Sequence, residues 1–286
     1  MVQVNNLIDN KNIKTLEQKG CFAVIEHQDD LSLTPSEAID AYFMSKMNVK
    51  RRQVLCALNN SAVRIQAGAM QWTSGNVQMN ADIGGVGGLL GKAIKGKVTG
   101  EAAVKPVYAG TGYLMLEPTF RHLLIEDVGA WGAGVVLDDG LFLACDQQVQ
   151  ERVERRQNFS SAILGGKGFF NLMLSGNGIC VLESPVPREE LVEFVLDNDT
   201  VKIDGSMAIA WSSSLQFTVE KATKSIIGSV LSAEGFVNVY RGSGRILMAP
   251  TINSQSVSAS TMSQTGAPAQ TATQSVMNAV KNSIKL

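Results

Sequence analysis

Histidine, proline and cysteine are scarce in this chain: two, seven and four among 286 residues. His27 and His122 stand far apart, and no His, Cys or carboxylate cluster falls at a metal-ligand spacing, so neither a metal nor a cofactor is expected. Cys21, Cys56, Cys145 and Cys180 form no CxxC pair and follow no secretory signal, which points to reduced, mostly buried thiols and a cytoplasmic protein. A basic excess is missing too. Lysine and arginine total 25 against 26 acidic residues, so nucleic acid is not an expected partner. The N-terminal MVQVNNLIDNKNIKTLEQKG has no apolar core and no arginine, unlike an export signal or a transit peptide. No run reaches the roughly 18 apolar residues that cross a bilayer.

What is present is glycine, 27 in all, with 45% hydrophobic residues, enough for a sizeable core. Residues 1–49 read as an arm, a short strand CFAVIEH (21–27) and one helix, LTPSEAIDAYFMSKM (33–47). Thr34 is its expected N-cap, with Pro35 at the first position and Glu37 as capping-box partner. Ile39, Phe43 and Met47 give it one apolar stripe. From about residue 50 the pattern changes to short strands; LQFTVE (215–220) alternates apolar and polar residues with period two.

The stretches GTGYLMLEP (110–118), GNGICVLES (176–184) and GSGRILMAP (242–250) repeat one sentence at a spacing of 66 residues. A strand precedes each Gly-X-Gly, so Gly110, Gly112, Gly176, Gly178, Gly242 and Gly244 are expected as turn glycines of three hairpins. A second marker agrees: DGLFLACDQQVQERVE (139–154) resembles DGSMAIAWSSSLQFTVE (204–220), offset by 65 residues, and AGAMQWTSGNVQMNA (67–81) supplies a looser first copy. The expected architecture is all-β, with β-helix-like or barrel-like units at 50–118, 119–184 and 185–250 about a pseudo-threefold axis. Such units bury their apolar faces mutually. Beyond Pro250, residues 251–274 have the composition of a flexible linker, and 275–286 carry Val276, Val280 and Ile284 as the stripe of a short amphipathic helix.

These segments, with AVRIQAGAMQWTSGNVQMNA (62–81) and GKVTGE (96–101), resemble the altered-inheritance-of-mitochondria β-repeat family over about 50–250. That family occurs widely in bacteria and has a fungal mitochondrial member. The resemblance implies a fold like that of the tryptophan RNA-binding attenuation protein. It implies no established enzyme activity for bacterial members, and inner-membrane organisation for the mitochondrial one. The helix at 33–47 and the polar tail depart from the family pattern, so partners need not carry over.

Catalytic signatures fail one by one. GGVGGLLGKAIKGK (84–97) has Val86 where a phosphate loop needs its first glycine and Ala93 where it needs Ser or Thr. His122 and Glu126 lie four apart, as a general acid–base pair or as a strand-edge histidine beside a carboxylate. KMNVKRRQ (46–53) lacks interleaved aromatics, and Trp72, Trp131 and Trp211 are expected as core anchors. One feature recurs in phase: aliphatic loops carrying Leu89, Leu90 and Ile94, then Ile163 and Leu164, then Ile226, Ile227 and Leu231. These either fold inward as caps of the core or form an apolar docking rim fringed by Lys92, Lys95, Lys97 and Lys224. The leading expectation is a non-enzymatic scaffold docking on a protein partner or membrane surface, with homo-oligomers allowed. RNA or small-ligand binding follows by fold analogy alone. An enzyme would need a pocket joining His122, Glu126 and a nucleophile from another repeat.

Overall fold

A computed structural model describes residues 2–80, 105–155, 170–205, 207–221 and 236–251. The eight rim residues, the linker beyond Thr251 and the terminal helix expected at 275–286 all lie outside these ranges.

The described residues form fifteen antiparallel strands, one α-helix and two short 3-10 turns. The N-terminal arm supplies β1 (Ile13–Lys19), β2 (Phe22–His27) and α1 (Ala38–Lys46). The first repeat is β3 (Arg52–Ile65), β4 (Met70–Asn80) and β5 (Val107–Leu116). In the second repeat each strand is broken in two: β6 (His122–Asp127) with β7 (Val135–Leu137), β8 (Phe142–Asp146) with β9 (Gln150–Arg155), and β10 (Phe170–Ser175) with β11 (Ile179–Ser184). The third holds β12 (Val192–Asp204), β13 (Ala208–Ser212), β14 (Gln216–Lys221) and β15 (Phe236–Met248). One sheet runs β1-β2-β3-β8-β11-β6, with β5 joined to β3 and β4; the other runs β12-β15-β13-β7-β10-β9, with β14 on β15. The fold is all-β, two curled antiparallel sheets with barrel-like closure.

The helix begins later than its cap residues promise. Glu37 does reach back, accepting from the Thr34 N–H at 3.0 Å, but the Thr34 hydroxyl donates to the same carboxylate at 2.6 Å instead of accepting from the helix. Residues 35–37 therefore close a turn, and the α-helix starts at Ala38.

The glycines are not hairpin turns. Gly110 and Gly112 lie inside β5, and Gly242 and Gly244 inside β15; only Gly176 and Gly178 separate two strands, which belong to different sheets. The reason is crowding on both edges of the glycine strand. β5 is paired with β3 on one side and β4 on the other through the glycines. Where β4 kinks across it, a Cβ on Gly112 would stand 2.0 Å from the Ser74 carbonyl oxygen and 3.0 Å from Val77. A Cβ on Gly178 would meet Val149 at 2.7 Å, and one on Gly244 would meet Ser212 at 2.8 Å and Leu215 at 3.1 Å. The 66-residue period thus records a close approach repeated three times, with φ values of 150°, 150° and 159° that L side chains avoid.

Opposite the glycines the first strand bulges. Between Leu58 and Ser61, and again between Leu196 and Asp199, two residues face one X residue, an excess of one. Asn60 and Asn198 take positive φ there, at 49° and 50°. Their N–H groups donate to Thr111 Oγ1 at 3.0 Å and Ser243 Oγ at 2.8 Å, so the residue between the glycines satisfies the bulge.

Core clusters cross repeat boundaries. Phe22, Val54 and Leu114 pack with Leu123, Leu143 and Val181 of the second repeat, while Val136 of the second packs with Trp211, Tyr240 and Ile246 of the third. Trp211, Phe217 and Tyr240 bring their ring centroids within 5.2–5.5 Å of one another. Trp131 and Trp211 are buried as anchors; Trp72 is half-buried beside Leu55 and Met115.

Candidate docking surface

Helix α1 is fastened by polar groups and leaves its apolar ones in water. Its C-terminal turn is held by Arg52, a side chain only 2% exposed, whose guanidinium donates to Asn48 O at 3.1 Å and Asn48 Oδ1 at 2.7 Å. The same group pairs with buried Glu26 at 2.6 Å, and Lys50 stands 3.7 Å from that carboxylate. Arg51 bonds Asp30 at 2.5 Å and lies over the Phe120 ring at 5.1 Å. Under the helix runs a small cleft of about 70 Å³, lined among others by Leu33, Met44, Val49 and Phe120.

No residue of α1 is buried. Ile39, Phe43 and Met47, the stripe read from the sequence, are 70%, 62% and 75% exposed, and Tyr42 and Leu31 are exposed beside them. Tyr42 and Phe43 form an edge-to-face pair at 5.6 Å, with the Lys46 ammonium over Tyr42 at 5.3 Å. A short helix that, with its C-cap Met47, shows Ile39, Tyr42 and Phe43 to solvent, on a mount locked by a buried ion pair, has the composition of an interface, where aromatic residues and Met are enriched. The sequence showed the stripe but not its direction; a stripe of that spacing faces a core in most helices.

The other chemistry-bearing residues are absorbed by the fold. His122 does not meet Glu126. Burial, then the Arg52 charge, push the His122 pKa down to about 4 against the pull of Glu26 and Glu189. Glu126 is buried, accepts from Trp131 Nε1 at 3.2 Å, and pairs with Arg188 and with Arg245, whose guanidinium covers the Trp131 ring at 3.9 Å. The four cysteines are free thiols, three of them buried, and burial pushes the Cys21 and Cys145 thiols up to about 12. Asp146 borders a shallow hollow with Cys21 and Ser61, but it caps a strand by accepting from the Ile179 N–H at 2.8 Å. Among the described residues no group of three or more His, Cys, Asp or Glu is placed to hold a metal, and no helix is long and apolar enough to cross a membrane.

Comparison with known proteins agrees with this architecture. An uncharacterized protein of Streptococcus pyogenes serotype M6 is 30% identical over 196 residues, covering 66% of this chain and 76% of that protein. The X-ray structure of a Streptococcus pyogenes protein superposes with a TM-score of 0.54 at 26% identity, covering 75% of this chain and 94% of its own. The model of the family described as mitochondrial biogenesis AIM24 matches residues 46–251, which leaves out nearly all of α1. With three β-repeats of one register and a family match over most of its length, the chain belongs to the mitochondrial biogenesis AIM24 family.

Proposed function

We propose that this protein is a non-enzymatic interaction module that holds a partner protein on the apolar face of α1. The observation that carries the reading is the solvent-facing set Ile39, Tyr42, Phe43 and Met47 on a helix whose polar mount is rigid. A protein fits that face better than an anionic membrane. Around the helix Asp29, Asp30, Glu37 and Asp40 offset Lys46, Lys50 and Arg51, so no net positive field draws it to lipid headgroups. Ile39, Tyr42 and Phe43 lie outside the family match, in keeping with a partner that other members of the family need not share. Absence of a reaction is supported by the chemistry of the described groups: thiols held protonated, a histidine held neutral, and a carboxylate locked between two arginines.

The test is affinity purification of the full chain from native extract, followed by rebinding of the recovered partner in purified form. The reading expects a stoichiometric partner that binds the native chain and loses at least tenfold in affinity to Ile39→Ser/Phe43→Ser/Met47→Ser. Equal rebinding to both forms, or flotation of the native chain with anionic vesicles in place of protein binding, refutes it.

A further inference from the structure

The middle repeat carries two thiols that the strand register places face to face. On one side β8 is joined to β3, along the seam between the first and second repeats: Val63 with Asp146, Arg64 with Cys145, Ile65 with Ala144. The next seam joins β7 to β13. On its other side β8 is joined to β11, where Cys145 stands opposite Cys180, and β11 continues to β6, where Cys180 stands opposite Glu126. The hydrogen bonds fix the kind of pair the cysteines make. The Gln66 N–H donates to Leu143 O at 2.7 Å and the Gln147 N–H to Ala62 O at 3.1 Å, so the backbone groups of Cys145, in phase with these two, point to β3. The Val128 N–H donates to Gly178 O at 2.9 Å, and the same alternation turns the groups of Cys180 to β6. Cys145 and Cys180 are therefore a non-hydrogen-bonded pair. Such a pair holds its Cα atoms about 4.5 Å apart with both side chains on one face, within the roughly 4.4–6.8 Å that a disulfide spans.

Packing does not ask for thiols at this place. The equivalent pairs are Thr73 with Leu114 in the first repeat and Trp211 with Ile246 in the third. In the second, Arg64, Cys145, Cys180 and Glu126 form one row across four strands. The Cys145 thiol donates to Glu151 Oε1 at 4.0 Å, and that carboxylate is held by Arg64 at 3.2 Å and Lys105 at 3.5 Å. Cys21 and Cys56 make no such pair, since the residue opposite Cys56 is Phe22. Cys145 and Cys180 are both fully buried, so they meet a reagent only while β8 and β11 part from their neighbours, and the reagent has to be small.

We propose that Cys145 and Cys180 are an oxidation site, which a peroxide converts into a cross-strand disulfide. Cys145 passes its proton to Glu151, and the thiolate attacks one peroxide oxygen. The O–O bond breaks, the departing hydroxide takes the proton back from Glu151 as water, and Cys145 becomes a sulfenic acid. The Cys180 sulfur then attacks the Cys145 sulfur. The S–O bond breaks, and the hydroxyl leaves with the Cys180 proton as a second water. Two thiols lose two electrons and one peroxide gains them. The change is stoichiometric, a modification without turnover. It closes residues 145–180 into a loop and staples β8 to β11 inside the sheet that β3 and β6 flank. The site is separate from α1, so this reading and the partner reading fail independently.

The test exposes the folded full chain to hydrogen peroxide and then alkylates it with iodoacetamide in denaturant. Peptide mapping is expected to find Cys21 and Cys56 alkylated and Cys145 linked to Cys180, with all four thiols restored by dithiothreitol. The linked chain is expected to show a higher urea midpoint, its unfolding constant lowered by about 10²–10³-fold. Cys180→Ala is expected to stop the reaction at a sulfenic acid on Cys145, which dimedone traps. Cys21→Ser, at the one thiol that is not buried, is expected to leave the link unchanged and keeps the test open if the core variant does not fold. Four free thiols after exposure, a link to Cys21 or Cys56, a sulfinic acid in place of the link, or a lower urea midpoint overturns the proposal.

Discussion

His122 and Arg52 show what one side chain does when it is taken from water. His122 holds its neutral form because burial and the Arg52 guanidinium oppose protonation. Its folded pKa of about 4 lies below the unfolded 6.5, so the unfolded state binds the extra proton between those values. Stability is complete above about pH 6.5 and declines as the pH falls toward 4. With solvent screening at a half-buried site, the loss is about 1–2 kcal/mol. Urea midpoints of the native chain and of His122→Gln across that range check it; the variant is expected to flatten the slope. Arg52 is the opposite case, a charge that stays buried because Glu26 and Asn48 answer it. Arg52→Met leaves Glu26 with Lys50 and the Gln28 amide but without its closest cation, and is expected to cost about 3–5 kcal/mol. Glu26→Gln added to it should recover part of that loss, a non-additivity that a double-mutant cycle measures.

Among elements, the glycine strand is the one whose sequence and shape are hardest to separate. The same motif serves three close approaches, but what crowds it differs. At Gly112 the neighbour is the backbone carbonyl of Ser74, which cannot turn aside; at Gly244 the nearest atoms are side-chain atoms of Ser212 and Leu215, which can shift. Gly112→Ala is therefore expected to lower stability by about 3 kcal/mol and Gly244→Ala by about 1–2 kcal/mol. Denaturant midpoints that rank the two in reverse order contradict this account. The 66-residue spacing was legible because every copy needs the gap at one register, whereas a hairpin was the wrong element to infer from it. Glycine pairs mark turns and strand crossings alike, and only the strands on both sides of β5 and β15 distinguish them.

Across the whole molecule, neither sheet is built from one repeat. β8 completes the sheet of β3, and β13 completes that of β7, so a single repeat leaves both an apolar face and a seam edge uncovered. A fragment of residues 50–118 is expected to lack cooperative thermal unfolding and to show a disordered circular dichroism spectrum, where the full chain unfolds in one transition. A folded, monomeric fragment would mean that the seams are incidental contacts. Helix α1 sits apart from this logic, since none of its residues is buried and polar contacts such as Arg52 with Asn48 and Ser45 with Gln28 tie it to the sheets.

The order of apolar and polar residues and the thrice-repeated glycine pair by themselves determined an all-β chain of three equivalent units, because a pattern with period two or 66 survives in one dimension. Which way a stripe points and which edge finds a partner are facts of three dimensions. Ile39, Phe43 and Met47 read the same whether they enter a core or face water, and only the buried Arg52–Glu26 mount on one side of α1 turned them outward. Likewise Val63 and Val136 look like ordinary strand residues until the registers place each in a seam with the following repeat, opposite Asp146 and Trp211.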